Sequence, residues 1–193
     1  MSGQAQNPWV TEGTQSAPAQ ATHRVPARPQ PRSVKAPTVG GLPVASQVNR
    51  AALWCVGVHG GAGESSLAAL IPGAAEAHHA WPQLMNGERA PVVLVARSNL
   101  AGLNAASRAC QQWAAAETPP VDVLGIVVMA DSKGKLPKET REFIARLKGL
   151  VRKVWLAPWV EQWRLLYEPA SDVPRELAPI VRELTSTEIT TTH

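Results

Sequence analysis

The stretch "GVHGGAGESSLAAL", residues 57–70, directly follows a short apolar run at residues 51–56. Glycine-rich turns of this kind can hold phosphate, because successive backbone N–H groups and a helix N-terminus point at the anion. The stretch therefore predicts a strand, a tight loop and a helix. Phosphate-binding loops also carry a lysine for the outer phosphates, and Glu64 stands at that position here.

Short apolar runs recur along the chain and predict buried parallel strands, because both faces of each run are apolar. The predicted strands are residues 51–58, 91–97, 121–130 and 153–159. Helical segments are predicted between and after the strands. The first begins at Glu64 and breaks near Pro72, and the second runs from Leu100 to Glu117 with Ser98 or Asn99 as N-cap. The third begins at Pro137, and the last runs from Pro174 to Leu184. This alternation predicts the α/β class, with a parallel sheet covered by helices on both faces.

Composition divides the chain into two parts. Residues 1–48 are rich in Pro, Gln and Ala and are predicted to be a disordered tail, whereas residues 49–193 are predicted to form one α/β domain. The first 50 residues hold five basic residues and one acid, which equals the net charge of +4 of the whole chain. An alternative interpretation of the tail is a basic arm for an anionic partner.

The start of the chain lacks a basic segment followed by an apolar one, and no apolar run reaches the roughly 18 residues of a membrane-spanning helix. We therefore expect a cytoplasmic protein without a membrane span. Cys55 and Cys110 are expected to be buried free thiols. Because Cys110 lies on the apolar face of a predicted helix, core packing is favoured over a nucleophilic role.

The stretch "VGVHGGAGESSLAAL" resembles the deviant Walker A loop of the MinD/ParA-type (SIMIBI) P-loop ATPases, whose pattern is K-G-G-x-G-K-[ST]-[ST]. Laid on that pattern, the candidate nucleotide-binding residues are His59 at the first lysine, Gly60, Gly61, Ala62, Gly63, Glu64 at the second lysine, Ser65 and Ser66. The resemblance extends over about residues 52–160. It implies a small P-loop NTPase-like three-layer sandwich that forms a homodimer or positions a protein partner. The chain also resembles a small group of uncharacterised actinobacterial proteins.

The departures from that family's pattern bear directly on function. Both lysines are absent, the strand at residues 91–97 ends in Arg97 instead of aspartate, and Met129 stands where an asparagine would contact the adenine. A lysine about 4 Å from a phosphate charge attracts it by roughly 4 kcal/mol at an effective dielectric constant near 20, and a glutamate repels it similarly. The preferred interpretation is therefore a degenerate, non-catalytic binding or scaffolding protein that needs no cofactor.

Other functions are compatible with the sequence. A weak nucleotide-dependent switch would bind ATP or GTP with Mg²⁺ through Ser65 and Asp131, with Lys133 or Lys135 in place of the missing lysine and Trp159 near the base. Nucleic acid could instead bind to the basic tail and to residues 133–141. Glu64 could also act as a helix cap, with its carboxylate in the anion site, and the glycines could form a tight turn that needs no ligand.

The remaining chemistry-bearing residues give weaker signals. His59, His78 and His79 with Glu64 fit no zinc spacing, and a hydrolase built from Glu64, Ser65 and His59 lacks a nucleophile elbow. Trp54, Trp113 and Trp155 fall on predicted core positions. Trp159 and Trp163 follow the last predicted strand, where they either cover the pocket or offer a stacking surface for a base or a partner.

Overall fold

The computed structural model describes residues 40–164 and 172–189. Its strands are β1 (Val44–Gln47), β2 (Leu53–Gly57), β3 (Ala74–Glu76), β4 (Trp81–Leu84), β5 (Ala90–Arg97), β6 (Val121–Met129) and β7 (Val154–Ala157). Its α-helices are α1 (Glu64–Ala68), α2 (Leu100–Ala114), α3 (Lys138–Leu147) and α4 (Ala178–Ile189), and a 3₁₀-helix covers Glu161–Arg164.

Five parallel strands form the main sheet in the order β3-β2-β5-β6-β7, and β1 and β4 form a separate parallel pair. The register places Gly57 of β2 beside Val95 of β5, and Arg97 of β5 beside Met129 of β6. Because all five strands are parallel, their carboxyl ends meet at one edge of the sheet.

Side chains alternate between the two faces of the sheet, as expected for a period of two residues. On one face, Trp54 and Val56 of β2 pack with residues of α2, α3 and β4. On the other face, Leu53 and Cys55 pack with residues that follow or belong to α1 and α4. Two apolar cores therefore lie on opposite sides of one sheet, with helices on both faces.

Several predicted elements are confirmed. All four predicted strands are present, and the side chain of Asn99 caps α2 by accepting a hydrogen bond from Gly102 N at 2.8 Å. The predicted core tryptophans Trp54, Trp113 and Trp155 are buried. The apolar face of the last helix is buried as predicted, at Leu177, Ile180, Val181 and Leu184.

Two local predictions are wrong. The predicted helix from Glu64 stops at Ala68, and Ala74–Glu76 forms strand β3 beside β2 after a turn at Pro72 and Gly73, whose φ is 78°. Within the predicted tail, Val44–Gln47 forms strand β1. In both cases backbone pairing with a neighbouring strand outweighs local composition. Residues 1–39, which make up most of the predicted tail, lie outside the described residues.

The side chain of Gln112 on α2 links the segment that precedes β1 to β4, the strand with which β1 pairs. The Gln112 Oε1 atom accepts hydrogen bonds from Leu42 N and Trp81 Nε1, both at 2.9 Å, and Gln112 Nε2 donates to Leu42 O at 3.0 Å. Trp81 is fully buried and Gln112 nearly so. The two-stranded sheet is therefore held against α2 by a satisfied polar network as well as by apolar packing.

Within the described ranges, no helix is long and apolar enough to cross a membrane.

Candidate functional site

A crevice is expected between β2 and β5, because the chain leaves these neighbouring strands toward opposite faces of the sheet. The loop after β2 leads to α1 on one face, and the loop after β5 leads to α2 on the other. Ligands of open parallel sheets bind at such a switch point, outside the carboxyl ends of the strands. An open cavity of about 630 Å³ lies there, lined by Val58, His59, Gly60, Gly61, Arg97, Asn99, Ala101, Gly102, Ala105, Arg108, Asp131 and Trp159.

The glycine-rich loop forms one wall of this cavity. Gly61 and Gly63 have φ values of 72° and 99°, a region that side chains disfavour. No atom lies within 4 Å of where a Cβ would stand on Gly60 or Gly61, so the space beside the loop is open. In contrast, Gly63 lies over Met129. The predicted Gly60, Gly61 and His59 reach the cavity, whereas Ala62 is buried in the core.

Glu64 does not face the loop. Its carboxylate accepts a hydrogen bond from Gly57 N at 2.5 Å and lies 3.0 Å from His79 Nδ1, and the side chain is almost fully buried. A Cβ on Gly57 would stand 2.7 Å from His79 and 2.8 Å from Glu64, so glycine is required for this packing. Glu64 lies in the first turn of α1, as the interpretation of this residue as a helix cap requires. Its carboxylate bonds Gly57 and His79, and its place in an anion site stays a prediction.

His59 and Arg97 connect the loop to β5. The backbone N–H of Arg97 donates to His59 Nε2 at 3.1 Å, which assigns the ring proton to Nδ1, and Nδ1 donates to Gly60 O at 2.9 Å. The guanidinium of Arg97 donates to Gly61 O at 3.0 Å and to Ala130 O at 3.2 Å. Arg97 thus bridges the loops that follow β2 and β6, and its charge lies beside the glycine loop.

Arg108, Asp131 and Trp159 complete the cavity. Arg108 lies on α2 and reaches Gly40 O at 3.4 Å. The Asp131 N–H is held by Ser98 Oγ at 3.0 Å, and its carboxylate is exposed at the cavity. Trp159 is half-buried and also lines a second, smaller cavity of about 100 Å³ together with Trp163, Met129 and other residues. The two cavities share Arg97 and Trp159, so they adjoin.

The predicted site residues separate into two groups. Asp131 and Trp159 line the cavity as expected. Lys133, the predicted substitute for the missing lysine, lies outside it and pairs with Glu161 at 2.6 Å. Lys135 is exposed and lies outside the lining. Ser65 and Ser66, on the first turn of α1, also lie outside it, and Ser66 is half-buried. The basic groups that line the cavity are instead Arg97 and Arg108.

In the sequence, Arg97 stands out only as a departure from a family pattern, and Arg108 does not stand out. A signal for Arg97 was nevertheless present. It is a charged residue at the end of an apolar strand, at the edge of the sheet where ligands bind. Nothing comparable marks Arg108, whose position depends on how α2 packs over the crevice.

The alternatives that involve metal or hydrolytic chemistry gain no support from the geometry. Of the four candidate ligands, His79 and Glu64 contact each other, whereas His59 contacts Arg97 and His78 lies 3.7 Å from Glu76. No group of three or more His, Cys, Asp or Glu side chains within residues 40–164 and 172–189 is arranged to hold a metal ion.

Cys110 is part of the core and not of the site. Its thiol lies against the sheet on α2, and burial raises its pKa from 9.0 to about 12. A thiol with this pKa carries almost no thiolate at neutral pH, and the thiolate is the reactive form.

We expect Cys110 to react with a disulfide reagent roughly a thousandfold more slowly than an unfolded cysteine near pH 8.5, because its pKa lies about three units higher. Burial of the neutral thiol stabilises the fold fully below pH 9, where the thiol is protonated in both the folded and the unfolded chain. As the pH rises from 9 toward 12, the unfolded chain loses this proton first, and the stabilisation is lost. Rates measured on a Cys55→Ala variant, native and in urea, isolate Cys110. Equal rates in the two states would contradict the expectation.

The fold is an α/β fold with a mostly parallel sheet, and a cavity lined by Arg97 and Arg108 lies at its switch point. The chain belongs to a family of unknown function, DUF6668, which matches residues 51–181 and thus includes the glycine loop, both arginines and Trp159. Neither the curated proteins nor the solved structures contain a significant match to the chain.

Proposed function

We propose that this chain is a non-catalytic binding protein on a degenerate P-loop NTPase-like fold of the MinD/ParA type. Its role would be to hold a ligand, or a protein partner at the same edge of the sheet, without turning over a nucleotide. The observation that carries the proposal is the orientation of Glu64. The side chain at the lysine position is a carboxyl group that is buried and bonded to Gly57 and His79.

The residues present do not fit Mg²⁺-dependent hydrolysis of a nucleoside triphosphate. Phosphoryl transfer depends on cations that neutralise charge on the transferred group, held by a loop lysine and a Mg²⁺ site. Here the loop has no lysine, and the two candidate Mg²⁺ ligands are separated, with Asp131 at the cavity and Ser65 outside its lining. Binding without catalysis needs only the cleft and its arginines.

The other candidate functions receive less support. Of the basic loop predicted to contact nucleic acid, Lys133 pairs with Glu161 and Lys138 lies 3.8 Å from Glu142, so two of its charges already have partners. The tail that would contribute the remaining charge lies outside the described residues. A nucleotide switch would need Lys133 or Lys135 beside the loop, and neither lines the cavity.

We expect the full chain to release no phosphate from ATP or GTP above the level of the buffer, with or without Mg²⁺. The measurement is phosphate release at rising protein concentration, with Asp131→Asn and Arg97→Gln as matched variants in the cleft. Contaminating phosphatases would give the same rate in all three proteins. A rate that rises with the native protein and disappears in both variants would refute the proposal.

A further inference from the structure

Two arginines line the cavity without an acidic partner. Arg97 and Arg108 are both half-buried, and their hydrogen bonds go to the backbone carbonyls of Gly61, Ala130 and Gly40. Among residues 40–164 and 172–189, neither forms an ion pair with a carboxylate. Elsewhere in the chain, by contrast, Arg50 pairs with Glu88 and Arg89 with Asp122.

The two arginines place like charges beside one cavity, and like charges repel each other. A bound oxyanion would relieve this repulsion, because guanidinium groups bind phosphate and carboxylate through paired hydrogen bonds. The cavity therefore favours a ligand with concentrated negative charge.

The surroundings of the two arginines strengthen this preference. The first turn of α2, which includes Ala101 and Gly102, lines the cavity and adds the positive end of a 15-residue helix. The exposed carboxylate of Asp131 also lines the cavity, and its negative charge counts against the binding of an anion. Two guanidinium groups against one carboxylate suit a phosphate monoester, which carries a charge of about −1.5 to −2 at pH 7, better than a single carboxylate.

The size and lining of the cavity indicate an organic ligand and not a free ion. A volume of about 630 Å³ lies within the range of roughly 300 to 1,000 Å³ that is common for small-molecule sites. Apolar contact is available from Val58, Ala105 and the half-buried ring of Trp159. The adjoining cavity, with Trp163 and Val160, extends this apolar wall beyond Arg97.

We propose that the cavity binds a phosphate monoester with a planar, ring-bearing organic part, and that Arg97 and Arg108 hold its phosphate group. The glycine loop contributes a wall and backbone groups, while the charge comes from β5 and α2. This inference rests on the proposed binding function and names the ligand class of that site. No bond is made or broken in the complex.

The test is calorimetric titration of the full chain at low salt with AMP, ribose 5-phosphate and inorganic phosphate. We expect AMP to bind more tightly than ribose 5-phosphate, and inorganic phosphate to bind most weakly. Arg108→Gln should weaken AMP binding by roughly 10- to 100-fold, because a charge-assisted contact is lost. Among the residues that the structure describes, Arg108 makes only a long hydrogen bond, to Gly40, so this variant is expected to keep the native melting temperature.

Matched variants separate a local effect from a change in net charge. Arg50→Gln removes the same charge from an exposed residue paired with Glu88 and should leave AMP binding unchanged. Asp131→Asn should strengthen binding severalfold, because it removes a like charge from the cavity. Arg97→Gln should weaken binding at least as much as Arg108→Gln.

Several results would overturn this inference. Absence of AMP binding at millimolar concentration would do so, as would equal affinities of native protein and Arg108→Gln. Equal affinities for AMP and inorganic phosphate would refute the inference that the ligand has a ring-bearing organic part. These failures are distinguishable from failure of the proposed function, which would show as protein-dependent nucleotide hydrolysis.

Discussion

Replacement of Glu64 with alanine is expected to lower the free energy of unfolding by about 2 to 3 kcal/mol, because it leaves a buried hydrogen-bond donor without its acceptor. The variant leaves Gly57 N without its acceptor and His79 without its carboxylate. Urea denaturation followed by tryptophan fluorescence measures the change. Glu64→Gln, which keeps an oxygen for Gly57 N, should lose only about 1 to 2 kcal/mol.

The control for Glu64 is Glu88→Ala. Glu88 pairs with Arg50 at 3.3 Å, but both side chains are more than half exposed, so we expect a change of at most about 1 kcal/mol. Equal destabilisation by Glu64→Ala and Glu88→Ala would show that the buried carboxylate is not important for stability. That result would remove the main support for the proposed function as well.

Glu64→Lys would place a lysine where phosphate-binding loops carry one, and the contacts of Glu64 decide whether the fold tolerates it. A lysine in the native side-chain direction would meet the N–H of Gly57 and the ring of His79 in a buried position. Burial of an unpaired ammonium group is costly, so we expect destabilisation comparable with that of Glu64→Ala. If Glu64→Lys does not bind ligand, its melting temperature must also be measured, because unfolding alone would abolish binding.

Gly102→Ala is the second change with a large expected effect. It is expected to destabilise the protein, whereas replacement of a helical glycine with alanine usually stabilises it. Alanine normally stabilises a helix by about 1 kcal/mol relative to glycine. At this position, however, the added Cβ would stand 2.6 Å from Arg97 O and 2.8 Å from His59 Nε2. We expect the free energy of unfolding to fall by about 1 to 3 kcal/mol, the range for overpacked sites.

The Gly102→Ala variant should also weaken ligand binding. Any shift of α2 away from the end of β5 disturbs the hydrogen bond from Arg97 N to His59, and with it the position of the Arg97 side chain. Gly149→Ala is the matched control, since its nearest contact to an added Cβ is 3.4 Å, from Arg146 O. Stabilisation by Gly102→Ala would contradict the close packing of α2 on β5.

The parts of the fold that could be predicted are those encoded by local patterns. Continuous apolar runs predict β2, β5, β6 and β7, and Asn99 predicts the start of α2 through a side-chain cap. Strand β3 could not be predicted, because alanine and glutamate favour helices and only the pairing of Ala74–Glu76 with β2 makes them a strand. Strand β1 depends on the distant side chain of Gln112.

The location of the candidate site could be predicted from the sequence, but the placement of its charged side chains could not. The glycine loop and the strand ends place it at one edge of the sheet, and Asp131 and Trp159 lie there as expected. The direction of the Glu64 side chain depends on His79, which follows it by 15 residues and occupies a turn with φ of 59°. No pattern around Glu64 contains that information, and the same holds for the approach of Arg108.

The lengths of the strands have a consequence for self-association. The main sheet is bounded by its two shortest strands, β3 with three residues and β7 with four, while the interior strands β5 and β6 have eight and nine. Short edges expose few unpaired N–H and C=O groups, and such groups are the template for edge-to-edge aggregation. The long apolar strands are therefore shielded from intermolecular pairing, even though they carry the sequences most prone to it.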